Sequence, residues 1–272
     1  MGEDPQGSIP AGSAADHLPL QDRVAIVTGG SGGIGRAIAL HLCSLGARIV
    51  VSYSSNSGKA EQLASQINAA ASAPSPTRAV TVKADVSDPN QVKTLFDAAE
   101  SAFNCPVNIF VNSGAVFHAK NPSIAETSVE DFDRIFSVNA RGAFLCCREA
   151  ANRIKRGGGG RIICITSATT AALRPNFGAY TASKAAVEAM VPILAKELKG
   201  TGITANCVAP GATATEYFFI GKTEEMLKML VSENPQGRLG LPEDIAPMVG
   251  FLATDAGGWV NGQVIRVNGG VI

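Results

Sequence analysis

The sequence lacks an excess of charge of either sign. Its 23 lysine and arginine residues balance its 23 aspartate and glutamate residues, so the formal net charge is zero. Proteins that bind nucleic acids through their phosphates normally carry a basic face, and no basic stripe occurs here. We therefore predict that the protein has no nucleic-acid partner.

Long apolar runs are also missing, although 46% of the residues are hydrophobic. No stretch approaches the roughly 20 apolar residues of a membrane-spanning helix, which predicts no membrane partner. Residues 1–22 contain no lysine or arginine, so they fit neither a secretory signal nor an arginine-rich transit peptide. We predict a flexible tail over residues 1–22, one domain over residues 23–272 and a cytoplasmic location.

The spacing of metal ligands or of a disulfide framework is absent as well. The six cysteines stand at positions 43, 105, 146, 147, 164 and 207. Several of them lie in apolar runs, where a free thiol behaves as a small buried side chain. The cysteines thus predict no metal site and a reducing compartment.

Seven short apolar runs alternate with helical patterns along the chain. Continuous apolar runs are typical of parallel strands that are buried on both faces. The pattern predicts an α/β fold: a single Rossmann-type, doubly wound parallel sheet of about seven strands with helices on both faces. The predicted strands are Arg23–Thr28, Arg48–Ser52, Ala79–Lys83, Asn108–Val111, Arg161–Thr166, Thr204–Val208 and Gln263–Val267.

Five glycines occur among the eight residues 28–35, directly after the first predicted strand. A strand, a glycine turn and a helix together present backbone N–H groups to a pyrophosphate, and glycine lets the backbone approach the ligand closely. A tight turn without a ligand is the alternative. The predicted dinucleotide contacts in this turn are Gly29, Ser31, Gly32, Gly33, Ile34 and Gly35.

The end of the second strand predicts which dinucleotide binds. NAD sites carry an acidic residue there, but no carboxylate occurs between Gly35 and Glu61. Hydroxyl and amide groups, followed by Lys59, suit the 2′-phosphate of NADP(H) better, with an ordinary polar loop as the alternative. The residues concerned are Tyr53, Ser54, Ser55 and Asn56.

Tyr180 and Lys184 are four residues apart in a helical pattern, so their side chains share one face of the helix. A nearby ammonium lowers the pKa of a phenol, which makes the tyrosine a usable proton donor or acceptor. Ser167 follows the fifth strand, at the edge where ligands bind in parallel sheets. Asn139 lies in an apolar helical pattern over residues 132–151 and needs a buried partner.

Together these motifs resemble the short-chain dehydrogenase/reductase family over nearly all of residues 23–272. The shared features, in order, are TGxxxGIG, Asn112, Asn139, Ser167, Tyr180-x-x-x-Lys184 and Pro210-Gly211. The residues around Asn112 and Asn139 are most similar to those of the plant branch described as NADPH-dependent aldehyde reductase-like proteins.

The resemblance implies an oxidoreductase that transfers hydride from NADPH to an aldehyde or ketone, or the reverse with an alcohol. Tyr180 would donate the proton, and Lys184 would lower its pKa and hold the nicotinamide ribose. Ser167 would bind the substrate oxygen. Asn139 would hold a water molecule that links Lys184 to solvent.

The resemblance also implies further contacts and an assembly. The protein would form a homotetramer or homodimer. Cofactor contacts would include Tyr180, Lys184, Asp85, Val86, Asn112, Ser113, Gly114, Pro210, Gly211 and Thr213, and the small carbonyl or alcohol substrate would lie against Phe117, His118, Phe177, Tyr217 and Phe218.

Three places depart from the family pattern, and one of them is near the C-terminus, where the frequent Asp-Gly-Gly appears as Asn268-Gly269-Gly270. The usual Asn-Asn-Ala-Gly after the fourth strand is replaced by residues 112–115, Asn-Ser-Gly-Ala, and Gly32 stands where NADP-preferring members commonly have a basic residue. Two other functions stay open: a dedicated biosynthetic ketone reductase of plant specialised metabolism, and a dinucleotide-binding sensor without catalysis.

Overall fold

The sheet has seven strands, and all of them are parallel. In the computed structural model, which describes residues 17–70 and 77–272, the strand order is β3-β2-β1-β4-β5-β6-β7. The predicted doubly wound α/β fold is confirmed. The strands are β1 (Val24–Thr28), β2 (Arg48–Tyr53), β3 (Ala79–Lys83), β4 (Ile109–Asn112), β5 (Gly160–Ile165), β6 (Ile203–Pro210) and β7 (Val264–Val267).

Helices cover both faces of the sheet, because parallel strands need crossover connections. One core cluster joins α1, α2 and α10 to the sheet, and the other joins α3, α5 and α7. The helices are α1 (Gly33–Ser44), α2 (Ser57–Ala69), α3 (Pro89–Phe103), α4 (Val129–Phe136), α5 (Ala143–Arg153), α6 (Thr169–Ala172), α7 (Gly178–Glu197), α8 (Glu216–Phe219), α9 (Glu224–Ser232) and α10 (Pro242–Ala253).

The central strands β1, β4, β5 and β6 are buried along their whole length. This explains their continuous apolar runs, since each contacts helices on both faces. None of the helices in the described ranges is long and apolar enough to cross a membrane.

The strand order reverses at β1, which pairs with β2 on one side and with β4 on the other. The helices after β1 and β4 therefore lie on opposite faces. A crevice is left between them at the carboxyl ends of the strands, where ligands bind in folds of this type.

The packed domain starts earlier than predicted. Leu20 is fully buried among α1 and the sheet, and its backbone N–H donates to the carbonyl of Leu45 at 2.8 Å. Leu20 thus belongs to the core rather than to a flexible tail. Residues 1–16, the rest of the predicted tail, lie outside the described residues.

Phe110 supports the centre of this core. It is fully buried in β4, and its ring centroid lies 5.6 Å from that of Phe96 on α3. We predict that Phe110→Ala lowers the free energy of unfolding by about 3–5 kcal/mol, because it removes the ring and leaves a cavity. Chemical denaturation of the purified variant measures this loss.

The exposed Val129 is the control, since its side chain is 70% accessible. Val129→Ala should change the stability by less than about 0.5 kcal/mol. Equal effects of the two substitutions would contradict the placement of Phe110 in the core.

Candidate active site

The glycine turn connects β1 to α1 at the crevice. Gly29 has a φ of +61°, which favours glycine, and a Cβ on Gly35 would lie 2.3 Å from the carbonyl oxygen of Gly29. Within the described residues no side chain caps the start of α1 at Gly32. The turn therefore offers the backbone N–H groups and the close approach that a pyrophosphate needs.

Thr28 joins the ends of β1 and β4 at this crevice. Its hydroxyl donates to Oδ1 of Asn112 at 3.1 Å and accepts from the backbone N–H groups of Ser113 and Gly114 at 3.1 and 3.2 Å. These bonds place the predicted residues 112–114 beside the glycine turn, where Gly114 lies against Gly29. Thr28 is the first residue of the TGxxxGIG motif, but the sequence did not indicate that its side chain joins β1 to β4.

The loop after β2 is exposed and rich in hydrogen-bond donors. Tyr53 ends the strand, Ser54 and Ser55 are exposed, and Asn56 caps α2 by accepting from the backbone N–H of Lys59 at 3.0 Å. The Lys59 ammonium forms an ion pair with Glu216 of α8. This contact brings a carboxylate to the loop from a distant part of the chain, which the local sequence did not reveal.

The remaining predicted cofactor contacts lie at other strand ends. Asp85 follows β3 and accepts from the hydroxyl of Ser87 at 2.7 Å, and Val86 is buried beside it. Pro210 ends β6, and the buried Thr213 donates to the carbonyl of Gly211 at 2.9 Å. These groups all lie at the carboxyl edge of the sheet.

Asn139 lies in a π-helical turn, Ser137–Gly142, between α4 and α5. The sequence predicted one continuous α-helix over residues 132–151, but the structure has a wider π-helical turn in the middle of this segment. The buried Asn139 side chain accepts from the backbone N–H of Val116 and donates to its carbonyl, both at 2.8 Å, and it also donates to Ser183 at 3.0 Å. Its predicted buried partners are thus the loop after β4 and helix α7. Such turns occur often at functional sites.

Lys184 is 97% inaccessible, and its ammonium donates to the carbonyl of Ile165 at the end of β5, at 2.9 Å. Burial lowers the pKa of Lys184 to about 8. The ammonium lies 5.9 Å from the centroid of the Tyr180 ring. Lys184 therefore joins the catalytic face of α7 to the centre of the sheet.

Tyr180 differs from the prediction of a lowered pKa. Burial raises the pKa of Tyr180 to about 12, although hydrogen bonding by Ser167 acts in the opposite direction. Ser167 itself is buried, and its oxygen accepts from the hydroxyl of Thr169 at 3.0 Å.

Phe117 and Tyr217, two residues of the predicted substrate pocket, pack against each other and form what we call the aromatic wall. The Phe117 ring meets Tyr180 edge-on at 6.2 Å and Tyr217 at 4.3 Å between centroids. The Tyr217 hydroxyl bonds to the backbone N–H and carbonyl of Phe117, both at 3.2 Å. Phe218 lies on α8 beside Tyr217.

His118 and Phe177, the other two residues predicted to line the pocket, lie apart from the aromatic wall. His118 lies 3.5 Å from a carboxylate oxygen of Asp131 on α4, and its Nδ1 accepts from the backbone N–H of Lys120 at 3.1 Å. Phe177 immediately precedes α7. Neither ring pairs with the aromatic wall in the described part of the chain.

All six cysteines are free thiols, and five of them are buried. The sulfur atoms of Cys147 and Cys164 lie 3.6 Å apart. Burial raises the pKa of the Cys146 and Cys207 thiols, which keeps them protonated. Within the described ranges no cluster of histidine, cysteine, aspartate and glutamate side chains could hold a metal ion.

The chain matches known proteins over most of its length. Residues 29–272 match the family profile described as Enoyl-(Acyl carrier protein) reductase. The chain is 62% identical to the NADPH-dependent aldehyde reductase-like protein, chloroplastic, of Arabidopsis thaliana, over 94% of this chain and 96% of that one. It is 58% identical to NADPH-dependent aldehyde reductase 2, chloroplastic, of the same plant, with the same coverage.

The fold is also similar to solved structures. A short-chain dehydrogenase from Burkholderia cenocepacia in complex with NADP superposes with a TM-score of 0.84. It is 31% identical, and the match covers 93% of this chain and 99% of that one.

The predicted cytoplasmic location is contradicted. Both Arabidopsis relatives are named as chloroplastic proteins. The composition of residues 1–22, without lysine or arginine, had suggested that no transit peptide was present.

The buried Lys184 predicts a pH dependence of stability. Its pKa is about 8 in the folded protein, against an ordinary value of 10.5. Between these values the unfolded chain binds more protons than the folded protein, so the free energy of unfolding should rise with pH. Denaturation at a series of pH values measures this rise, which Lys184→Met should lack.

The exposed Lys196 of the same helix serves as the control. Lys196→Met should keep the rise of wild type over this range. If the profiles of wild type and Lys184→Met run parallel between pH 8 and 10.5, the burial of the Lys184 charge is refuted.

Proposed function

The chain belongs to the short-chain dehydrogenase/reductase family, and from that premise we propose that it reduces aldehydes or ketones to alcohols with NADPH. The observation that carries this proposal is the arrangement on α7. Tyr180 lies between the aromatic wall and Lys184, and Ser167 lies beside it at the end of β5. A proton donor, a cation and a hydroxyl thus meet at the carboxyl edge of the sheet.

The residues at this edge fit NADPH. A Cβ on Gly29 or Gly35 would collide with backbone atoms, so the turn keeps the close backbone approach that a pyrophosphate requires. Ser54 and Ser55 would hold the 2′-phosphate through their hydroxyl groups, and Lys59, which pairs with Glu216 in this structure, would add an ammonium group. When bound, NADPH supplies the hydride for the carbonyl carbon.

The protein's own part of the reaction is proton donation and charge stabilisation. With a pKa raised to about 12, the Tyr180 phenol is protonated at neutral pH, which is the form that gives a proton to the developing alkoxide. Ser167 holds the substrate oxygen with a hydrogen bond. The positive charge of Lys184 stabilises the phenolate that remains after the transfer.

Asn139 positions the helix that carries Tyr180 and Lys184. Its amide ties Val116, one residue before the aromatic wall, to Ser183, whose hydroxyl donates to the carbonyl of Tyr180 at 2.7 Å. The asparagine therefore fixes α7 relative to the loop after β4. A water molecule beside it would return protons to Lys184.

An aldehyde reductase is favoured over the other candidate functions. The two Arabidopsis relatives, at 58% and 62% identity, are named as an aldehyde reductase and an aldehyde reductase-like protein, whereas a relative named as a versicolorin reductase, from Emericella nidulans, is 37% identical. A sensor would not need Tyr180, Lys184 and Ser167 together. We place the protein in the plastid, in line with the names of the Arabidopsis relatives.

Homo-oligomer formation is part of the proposal. The core uses Val187 and Val191 of α7, but Ile193 stays 56% exposed, and Phe144 on the adjacent α5 is 48% exposed. Large apolar side chains exposed on neighbouring helices are suited to contacts between subunits.

Tyr180→Phe tests the role of the phenol. The substitution removes the hydroxyl and keeps the ring against Phe117, so we expect kcat to fall on the order of a hundredfold or more. Loss of NADPH absorbance with a panel of aliphatic and aromatic aldehydes measures the rate. The Kd for NADPH and the unfolding midpoint should stay close to wild type, and near-normal turnover by the variant would refute the assignment.

A further inference from the structure

A partly buried ammonium group lies beside the aromatic wall. The Nζ of Lys222 is 4.4 Å from the centroid of the Phe218 ring and 5.5 Å from that of Phe117. Phe117 is the ring that also meets Tyr180. One aromatic side chain thus contacts both the proposed proton donor and this cation.

The backbone next to Lys222 is fixed against the loop that carries Phe117. Gly221 has a φ of +74°, and a Cβ at this position would lie 2.7 Å from the carbonyl oxygen of Ala119. The Tyr217 hydroxyl ties the same segment to the backbone of Phe117. Lys222 therefore extends from a tightly packed turn rather than from a freely moving chain.

The charge of Lys222 has no acidic partner among the described residues. Three lysines of the described residues do have one: Lys59 pairs with Glu216, Lys93 with Asp97 and Lys228 with Glu224. Burial lowers the pKa of Lys222, and no carboxylate offsets that effect. Aromatic faces attract a cation, but they leave its N–H groups without acceptors.

We propose that Lys222 binds an anionic group of the substrate, so that the enzyme prefers aldehydes that carry a carboxylate. This inference rests on the proposed reductase function and names its substrate class. Phe117 contacts both Tyr180 and Lys222, so the test uses an aldehyde with one aromatic ring between its carbonyl and its carboxylate.

Charge and burial explain why this contact would discriminate between substrates. A hydrogen bond between an ammonium and a carboxylate is stronger than one between neutral groups, and partial burial limits screening by solvent. A neutral substrate of the same shape would gain the aromatic contacts but not the ion pair. Lys222 would therefore act on specificity and leave the chemistry to Tyr180.

The test compares 4-carboxybenzaldehyde with its neutral methyl ester, methyl 4-formylbenzoate. With wild type, kcat/KM should be higher for the acid. Lys222→Met should lower the ratio of acid to ester by about tenfold or more, the usual size of a charged hydrogen bond, mainly through KM. Lys222→Arg should keep most of the preference.

Lys228→Met is the matched control, since Lys228 lies on α9 and is exposed. It should leave the ratio unchanged. A second readout is the binding of 4-carboxybenzyl alcohol to the enzyme with NADPH, a pair that cannot react, measured by calorimetry, where the Kd should rise about tenfold in Lys222→Met. This readout does not depend on turnover.

The outcomes separate the two proposals. If Lys222→Met lowers kcat/KM equally for acid and ester, or leaves both the ratio and the Kd unchanged, the anion site is refuted while the reductase function stands. If wild type reduces neither aldehyde nor any other member of a carbonyl panel, the reductase function is refuted. In that case the calorimetric Kd still decides whether Lys222 binds the carboxylate.

Discussion

Parallel pairing of all seven strands is the constraint on which the site depends. It places every carboxyl strand end at one edge of the sheet, so residues far apart in the chain meet there. Thr28 fastens β1 to β4 where the strand order reverses, and Lys184 fastens α7 to the end of β5. The cofactor half of the crevice and its catalytic half are therefore fixed to the same sheet.

Burial of polar groups shifts the pKa values of the catalytic residues. The Lys184 ammonium loses most of its contact with water, and one backbone carbonyl replaces part of that hydration. A buried charge with few partners costs free energy, which is why its pKa falls. Burial of the Tyr180 phenol likewise disfavours its charged form and raises its pKa. The site thus gives up some stability to hold a proton donor beside a cation, as functional sites commonly do.

The sequence predicted the fold well because its signals are local. Apolar runs, the glycine turn and the alternation of strands with helices identify the parallel sheet without knowledge of distant contacts. The order of Asn139, Ser167, Tyr180 and Lys184 likewise indicated which strand ends and helices meet. The fold prediction needed only the periodicity of each element, whereas the roles of these four residues came from the resemblance to the short-chain dehydrogenase/reductase family.

Features that depend on distant contacts could not be predicted in this way. The π-helical turn at Asn139 exists together with bonds to Val116 and Ser183, which lie 23 and 44 residues away. The pKa of Tyr180 depends on how deeply the phenol is buried, which helical spacing does not reveal. Glu216 and Lys222 reach the crevice from the segment after β6, and only the folded chain shows their partners.

The central claim is that this chain transfers hydride from NADPH to a carbonyl carbon. The most direct measurement uses NADPH that carries deuterium as the transferable atom at C4 of the nicotinamide ring, with an aldehyde as substrate and mass spectrometry of the alcohol formed. We predict that the deuterium appears on the carbon that bore the carbonyl group. An alcohol without deuterium at that carbon, or no alcohol from any aldehyde of a broad panel, would contradict the account.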